Sequence, residues 1–324
     1  MVSVRQWSFG RLPPKRRNEV TVYLGIDTSC YTTSLAVADK NKRILCNLKI
    51  PLEVAQGKKG LQQSQAVFLH IKNFERLFRE HQIAEYGSIA GIAVSEKPRP
   101  QEGSYMPVFT VGTMVAGSIA STAGAPVLFT THQEGHLAAA MIGREMPAEF
   151  LAMHVSGGTT ELLRVKSNNG FLIEKIGGTK DIAAGQLIDR LAQRLNLPFP
   201  GGVHVEALCA GGKNLGFKTS VLGRECNISG LEAQALRAVG TEIPRDICFS
   251  VLYALASTLE KMLRHAVHGT GIRDILMFGG VMCNRLIRNY LSSKLEGIRF
   301  AEIEYSSDNA AGLAVLAAQK GVTK

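Results

Sequence analysis

The 324-residue chain has no apolar run near the roughly 20 residues that a membrane-spanning helix needs. Its first 19 residues are basic, with Arg5, Arg11, Lys15, Arg16 and Arg17, but they lack the apolar core of a secretory leader. These absences argue against a membrane protein and for the cytoplasm. The six cysteines, Cys30, Cys46, Cys209, Cys226, Cys248 and Cys283, contain no C-x-x-C pair, which speaks against a thiolate zinc site and a disulfide framework. Acidic residues are short as well: 27 Asp and Glu against 37 Lys and Arg leave a formal charge of +10. Such a surface attracts polyanions, nucleic acid foremost in a cytosol, although net charge bears on association and not on fold. Residues 1–19 show no hydrophobic period and read as a basic surface extension.

What is present, at 45% hydrophobic residues, suffices for one large or two medium cores. The chain is organised around Thr131-His132-Gln133-Glu134-Gly135-His136, which follows a short apolar run and precedes a small-residue segment. A helix starting near Thr131 sets His132 and His136 one above the other, the spacing at which two imidazoles reach one cation. Two neighbours on a half-buried face would show the same spacing. The zinc-protease signature is missing, because Gln133 stands where that signature needs Glu, and Glu134 points about 100° further round the helix.

From residue 20 the pattern alternates between strands and helices. An apolar strand over 20–26 runs into the polar turn Asp27-Thr28-Ser29, and strands over 34–38 and 44–49 follow. Such a turn offers N–H groups and hydroxyls to a phosphate, with Asp27 placed to position a cation or water, although a plain hairpin turn looks the same. A helix over 63–81 shows Val67, Ile71, Phe74, Leu77 and Phe78 on one face, and a buried strand occupies 89–95. The three prolines within residues 96–107 require a loop, and a Gly-, Ala- and Ser-rich helix then covers 108–123. Near Met146-Pro147 the pattern restarts: strand 150–155, turn Ser156-Gly157-Gly158-Thr159-Thr160, strands 161–165 and 171–176. Two such units about 130 residues apart point to a duplicated fold, with two phosphate-binding hairpins across a cleft. The second half continues with a helix over 181–195, a loop from Leu197 to Gly202, a helical stretch to about 210, a variable region up to 240, a helix over 244–268, a buried strand over 275–278, a strand over 299–303 and a closing helix over 310–319. Gly279 and Gly280 sit where a strand turns into a helix, a place suited to close ligand approach and to anions.

Taken together, Gly25-Ile26-Asp27-Thr28-Ser29-Cys30, the His132 to His136 motif, Val155-Ser156-Gly157-Gly158-Thr159, Ala183-Ala184-Gly185 to Asp189, Pro200-Gly201-Gly202, Gly279-Gly280-Val281 with Asn284, and Asp308-Asn309-Ala310 resemble the TsaD family in order and spacing. These are tRNA threonylcarbamoyladenosine-forming transferases, once described as glycoproteases. The resemblance runs from about residue 20 to 319. It implies an α/β fold of the actin-like, sugar-kinase and heat-shock ATPase type, duplicated into two lobes around a nucleotide cleft. The lobes expected are 20–146, closed by the C-terminal helix 308–322, and 147–307. The implied activity moves a threonylcarbamoyl group from threonylcarbamoyl-adenylate to the N6 amine of the tRNA adenosine beside the anticodon. Partner proteins of the threonylcarbamoylation machinery, a homologous actin-like subunit among them, are implied too.

Residue by residue, the resemblance implies that His132, His136 and Asp308 hold one iron or zinc ion. It implies that His154, Val155, Ser156, Gly157, Gly158, Asp189, Gly202, Glu206 and Asn284 contact the adenylate or an adenine nucleotide. No side chain is singled out as a catalytic acid or base. His154 is a fourth candidate metal ligand, since it ends a strand where the archaeal branch of the family often has a ligating tyrosine. The chain departs from the family at Tyr31-Thr32, where an Asp-Glu pair is usual, at Glu96 to Pro100, where a Gly-Pro-Gly-Leu loop is usual, and at Gly117, commonly a basic residue. Those departures keep two other readings in view: a non-catalytic nucleotide-binding paralogue that partners the true transferase, and a carbamoyltransferase with another acceptor. A sugar-kinase-like phosphotransferase is allowed by fold alone but has no use for the paired histidines.

Overall fold

The computed structural model describes residues 20–29, 31–53, 61–168 and 170–321. The basic extension 1–19, Cys30 of the first motif and the last residue of the expected closing helix lie outside them. The chain divides into two compact units, residues 1–132 with 309–324, and residues 133–308.

The first unit holds β1 (Thr21–Ser29), β2 (Thr32–Asp39), β3 (Ile44–Pro51), α1 (Gln63–Glu80), β4 (Ser88–Lys97), α2 (Phe109–Ala123) and β5 (Val127–Thr131), and its last helix is α10 (Ala311–Gly321). Its sheet runs in the order β3-β2-β1-β4-β5, antiparallel on the β2 side of β1 and parallel on the β4 side. β1 is buried from Val22 to Ser29, with helices on both faces, which is why its sequence is continuously apolar up to Asp27 instead of alternating. At Gly25 an added Cβ would lie 2.2 Å from the Ala310 carbonyl oxygen and 2.4 Å from the Ala314 nitrogen, so only glycine admits α10 this close.

The second unit carries α3 (His132–Ala140) from its second residue on, then β6 (Glu149–Val155), β7 (Thr160–Ser167), β8 (Phe171–Thr179), α4 (Ala184–Arg194), α5 (Gly201–Leu208), β9 (Ser220–Leu222), β10 (Glu225–Asn227), α6 (Ser229–Ala238), α7 (Pro244–Thr270), β11 (Ile275–Phe278), α8 (Arg285–Lys294), β12 (Ile298–Phe300) and α9 (Ile303–Ser306). Its sheet order is β12-β11-β6-β7-β8-β10-β9. The stretch β8-β7-β6-β11-β12 has the same chain order and the same directions as β3-β2-β1-β4-β5. The expected duplication is therefore present, with β10 and β9 added at one edge. β6 alternates strictly between two cores. Leu151, Met153 and Val155 pack with α4 to α7, whereas Phe150 and Ala152 pack with Leu137 and Ala140 of α3.

Several expectations change. Asp27, Thr28 and Ser29 are the last residues of β1 and not a turn. The passage between units falls at His132/Gln133, upstream of the expected Met146-Pro147, because Leu137, Ala140, Met141 and Met146 bury against Phe150, Leu163 and Phe278. The buried face of α1 is Ala66, His70, Phe74 and Leu77, and Ile71 is 48% exposed. The helix has turned to place the His70 ring against Thr33. The region up to 240 contains β9, β10 and α6, strands of three residues being too short to show a period. Gly201 and Gly202 open α5 instead of closing a loop, and the last expected strand ends at Phe300. No helix among the described residues is long and apolar enough to cross a membrane.

Candidate metal centre and nucleotide-binding loops

α3 begins where β5 ends, and apart from its first residue and Glu134 it is small or buried along its length. That lets the backbone sit deep while one turn of helix carries His132 above His136. His136 is 3% exposed, and its Nε2 lies 3.1 Å from Oδ1 of Asp308. Asp308 follows α9, whose Ser306 hydroxyl donates to the Gly279 carbonyl at 2.9 Å. One ligand atom from each of His132, His136 and Asp308 can be chosen so that all lie within 4.8 Å of one another. Two imidazoles and a carboxylate are the donor set of a transition-metal site with positions left open. Ligand atoms about 2.1 Å from one ion stand roughly 3.0 Å apart at a right angle and roughly 3.4 Å apart at a tetrahedral one. The 3.1 Å between His136 and Asp308 falls in that interval, so this pair fits an ion, and His132 completes the donor set within 4.8 Å.

His154 is not in this set. Its ring lies 4.9 Å from that of His136, tilted by 49°, and stacks on Phe278. It continues the face of β6 that carries Phe150 and Ala152.

The expected phosphate residues of the first hairpin have other occupations. Asp27 is 1% exposed: its Oδ1 receives the Ser95 hydroxyl and faces Nδ1 of His132 at 3.0 Å, and its Oδ2 receives the Ser29 N–H at 3.3 Å. The Thr28 hydroxyl donates to the Val108 carbonyl at 2.9 Å and accepts from the Gly112 N–H at 3.3 Å, tying the strand to the start of α2. Ser29 is 4% exposed.

The second hairpin is more open. Ser156 N–H donates to Thr159 O at 2.8 Å, and this tight turn leaves Gly157 and Gly158 exposed. The start of α4 lies against it. The Thr160 hydroxyl accepts the Ala184 N–H at 2.9 Å, and a Cβ on Gly185 would come within 2.5 Å of Gly157 Cα. Val155, by contrast, has its side chain in the core and can meet a ligand only through its backbone. Asp189 of α4 accepts the Gly201 N–H at 2.9 Å, and burial raises its pKa above the ordinary value despite that bond. Gly202, one residue on, has open space where a side chain would be. Glu206 Oε1 accepts the Arg285 N–H at 2.8 Å, and Asn284 Oδ1 accepts the Ile287 N–H at 3.0 Å. Both therefore cap α8, and Asn284 keeps its Nδ2 group for other use.

Sequence reasoning gave Gln133 no supporting role and passed over Glu161, Lys175, Ser95 and His70. Gln133, the residue that breaks the zinc-protease signature, donates to Oε2 of Glu161 at 3.3 Å, and Lys175 bonds Oε1 at 3.0 Å, so this pair anchors α3 on β7 and β8. Glu161 is the register partner of His154, a relation visible in sequence only once the hairpin is aligned. Ser95 lies two residues before the end of β4, and its hydroxyl donates to Asp27. His70 is fully buried with Nδ1 2.8 Å from the Thr33 hydroxyl, and burial lowers its pKa. A single histidine inside an apolar helix face was the signal available for it.

The profile of the TsaD family, tRNA N6-adenosine threonylcarbamoyltransferase, matches residues 69–315. The tRNA N6-adenosine threonylcarbamoyltransferase of Mesoplasma florum is 31% identical over 92% of this chain and 98% of its own length. That of Geobacillus kaustophilus is 30% identical over 92% of this chain and 91% of its own. Among solved structures, component A of the (R)-2-hydroxyglutaryl-CoA dehydratase of Acidaminococcus fermentans is similar with a TM-score of 0.55 at 16% identity, covering 93% of this chain and 99% of that one. A ROK family glucokinase from Streptomyces griseus gives 0.53 at 14% identity, covering 92% and 99%. These structural likenesses bear on the fold alone and place it among the actin-like and sugar-kinase α/β folds. The matches in sequence go further, and by them this chain belongs to the TsaD family of tRNA N6-adenosine threonylcarbamoyltransferases.

Proposed function

We propose that this protein transfers a threonylcarbamoyl group from threonylcarbamoyl-adenylate to the N6 amine of a tRNA adenosine beside the anticodon. One iron or zinc ion is held by His132, His136 and Asp308. The observation that carries this reading is the convergence of those three side chains in a member of the TsaD family. A bound ion of that kind supplies Lewis acidity to carbonyl or phosphate oxygens. The chain's own groups bind and orient. Gly157 and Gly158, exposed and without side chains, admit a phosphate to their backbone N–H groups. Asp189 accepts from ribose hydroxyls and Asn284 Nδ2 donates to the nucleoside. Glu206 supports them by holding the start of α8. The amine nitrogen bonds to the carbamoyl carbon, the bond to the phosphate oxygen breaks, AMP departs, and the amine proton passes to water. Net charge +10 favours the tRNA phosphates, and the work belongs in the cytoplasm.

A second reading is favoured by one observation: Tyr31, 44% exposed, and Thr32 stand where the family usually has two acids. In that reading the chain binds nucleotide and partners a homologous, active subunit. Incubation of purified, metal-loaded protein with threonylcarbamoyl-adenylate and unmodified tRNA, followed by mass spectrometry of nucleosides, decides between them. Threonylcarbamoyladenosine formed by the wild type and not by His136→Ala is expected; adenylate binding without product in the presence of metal would favour the partner role.

A further inference from the structure

We propose that Asp27 is a positioning residue for the candidate metal centre: it holds His132 as the tautomer protonated on Nδ1, leaving Nε2 as the ligand nitrogen. This rests on the reading of His132 as a metal ligand. The argument starts in the first sheet. β1, β4 and β5 are adjacent and parallel, with Ile26 beside Val94 and Ser95 beside Thr130 in register. The residues after Ile26 and Val94 therefore set Asp27, Ser95 and Thr130 in one row at the carboxyl edge, with β5 ending one residue later at Thr131, where open α/β sheets place their ligand-binding groups. His132 follows directly as the first residue of α3.

The Asp27 carboxylate meets groups able to donate: the Ser95 hydroxyl and the His132 ring on Oδ1, and the Ser29 N–H on Oδ2. An ionised carboxylate has no proton to give, so the imidazole nitrogen facing it at 3.0 Å must be the one that carries hydrogen. At 1% exposure Asp27 sits in a fixed strand and not on a mobile loop, so it sets ring orientation as well as tautomer. A neutral imidazole in water favours hydrogen on the other nitrogen, and the carboxylate reverses that preference. Carboxylate-histidine pairs of this kind are the usual outer support of a metal ligand, and losing one costs metal affinity about 10–100-fold.

The test measures tautomer and metal together, with Zn²⁺ as the probe. In ¹⁵N-labelled, metal-free wild type, ring correlations of His132 should report hydrogen on Nδ1. Asp27→Asn should shift it toward the Nε2-protonated form and weaken Zn²⁺ binding about 10–100-fold by competition titration. His136→Ala, as the control for the metal reading, should abolish binding while leaving the His132 tautomer in place. If Asp27→Asn matches wild type in both measurements while His136→Ala loses zinc, the positioning role is overturned and the metal reading stands. If wild type binds no zinc, the metal reading fails. Should Asp27→Asn not fold, the wild-type tautomer decides alone: hydrogen on Nε2 of His132 overturns the proposal.

Discussion

His154 and Phe278 are register partners on the parallel strands β6 and β11, and their rings stack with centroids 4.7 Å apart at 17°. The His154 ring also neighbours His136, 4.9 Å away, and Phe278 lies 6.1 Å from His136, so the three rings form one cluster. Within such a cluster the imidazole acts as a wall for His136, and a phenyl group fills the same role. His154→Phe is therefore expected to keep metal affinity within about threefold of wild type, well short of the 10–100-fold losses at supporting positions. Titration with Zn²⁺ measures this, and a loss beyond that range would put His154 in the coordination shell.

Loss of Asp308 should act differently. Its Oδ1 is 3.1 Å from Nε2 of the buried His136, so Asp308→Ala removes one donor and leaves two imidazoles, too few for a stable protein site. Elemental analysis after chelator-free purification should find close to one iron or zinc per wild-type chain, and almost none in Asp308→Ala or His136→Ala. A full complement in both variants would mean the ion is bound elsewhere.

Asp189 couples stability and binding with opposite signs. Burial raises its pKa above the ordinary 3.8, against the opposing bond from Gly201 N–H. A carboxyl with a raised folded pKa contributes most to stability below the unfolded value and loses that contribution as pH rises through the folded one. Asp189→Asn keeps an oxygen for Gly201 and removes the buried charge. It should raise the urea midpoint at pH 7, with the advantage shrinking toward pH 3.8. Adenylate affinity should fall by roughly tenfold, the worth of one hydrogen bond to a charged acceptor. Calorimetry showing equal affinity would remove Asp189 from the nucleoside.

Asp181 gives the acid-side prediction. Although its partial burial opposes ionisation, the Ser229 hydroxyl and the N–H groups of Ile228, Ser229 and Ile182 hold the carboxyl well below the usual range. It joins the segment before α4 to the start of α6, with Ile182 N–H at 2.7 Å and Ile228 N–H at 2.8 Å. Asp181→Ala should cost about 1 kcal/mol, as loss of a helix cap does. With a lowered folded pKa, that contribution is present above the unfolded value of 3.8 and disappears as pH falls through the folded value. Wild type and variant should therefore differ in urea midpoint at pH 6 and converge in strong acid; a gap independent of pH would rule out the carboxylate as its source.

Local signals in the sequence determined the repeated strand pattern, the one-turn spacing of His132 and His136, and the glycine turn at 156–158. Each depends on neighbours a few residues apart, through the 2.0 and 3.6 periods of strand and helix. The sheet order β3-β2-β1-β4-β5, matched by β8-β7-β6-β11-β12, was not legible there, since pairing joins strands distant in sequence. What only the tertiary structure decided are the roles of side chains whose partners are distant in sequence. Asp27 read as part of a phosphate turn, because β1 is buried on both faces and shows no alternation to mark where it ends. Its partner His132 lies two strands away, across β4. Gln133 read only as a missing base, and its bond to Glu161 depends on how α3 packs on β7. Ile71 and His70 exchanged places because an amphipathic pattern fixes the facing side of a helix only to within about one residue, and a hydrogen bond to Thr33 settles the remainder.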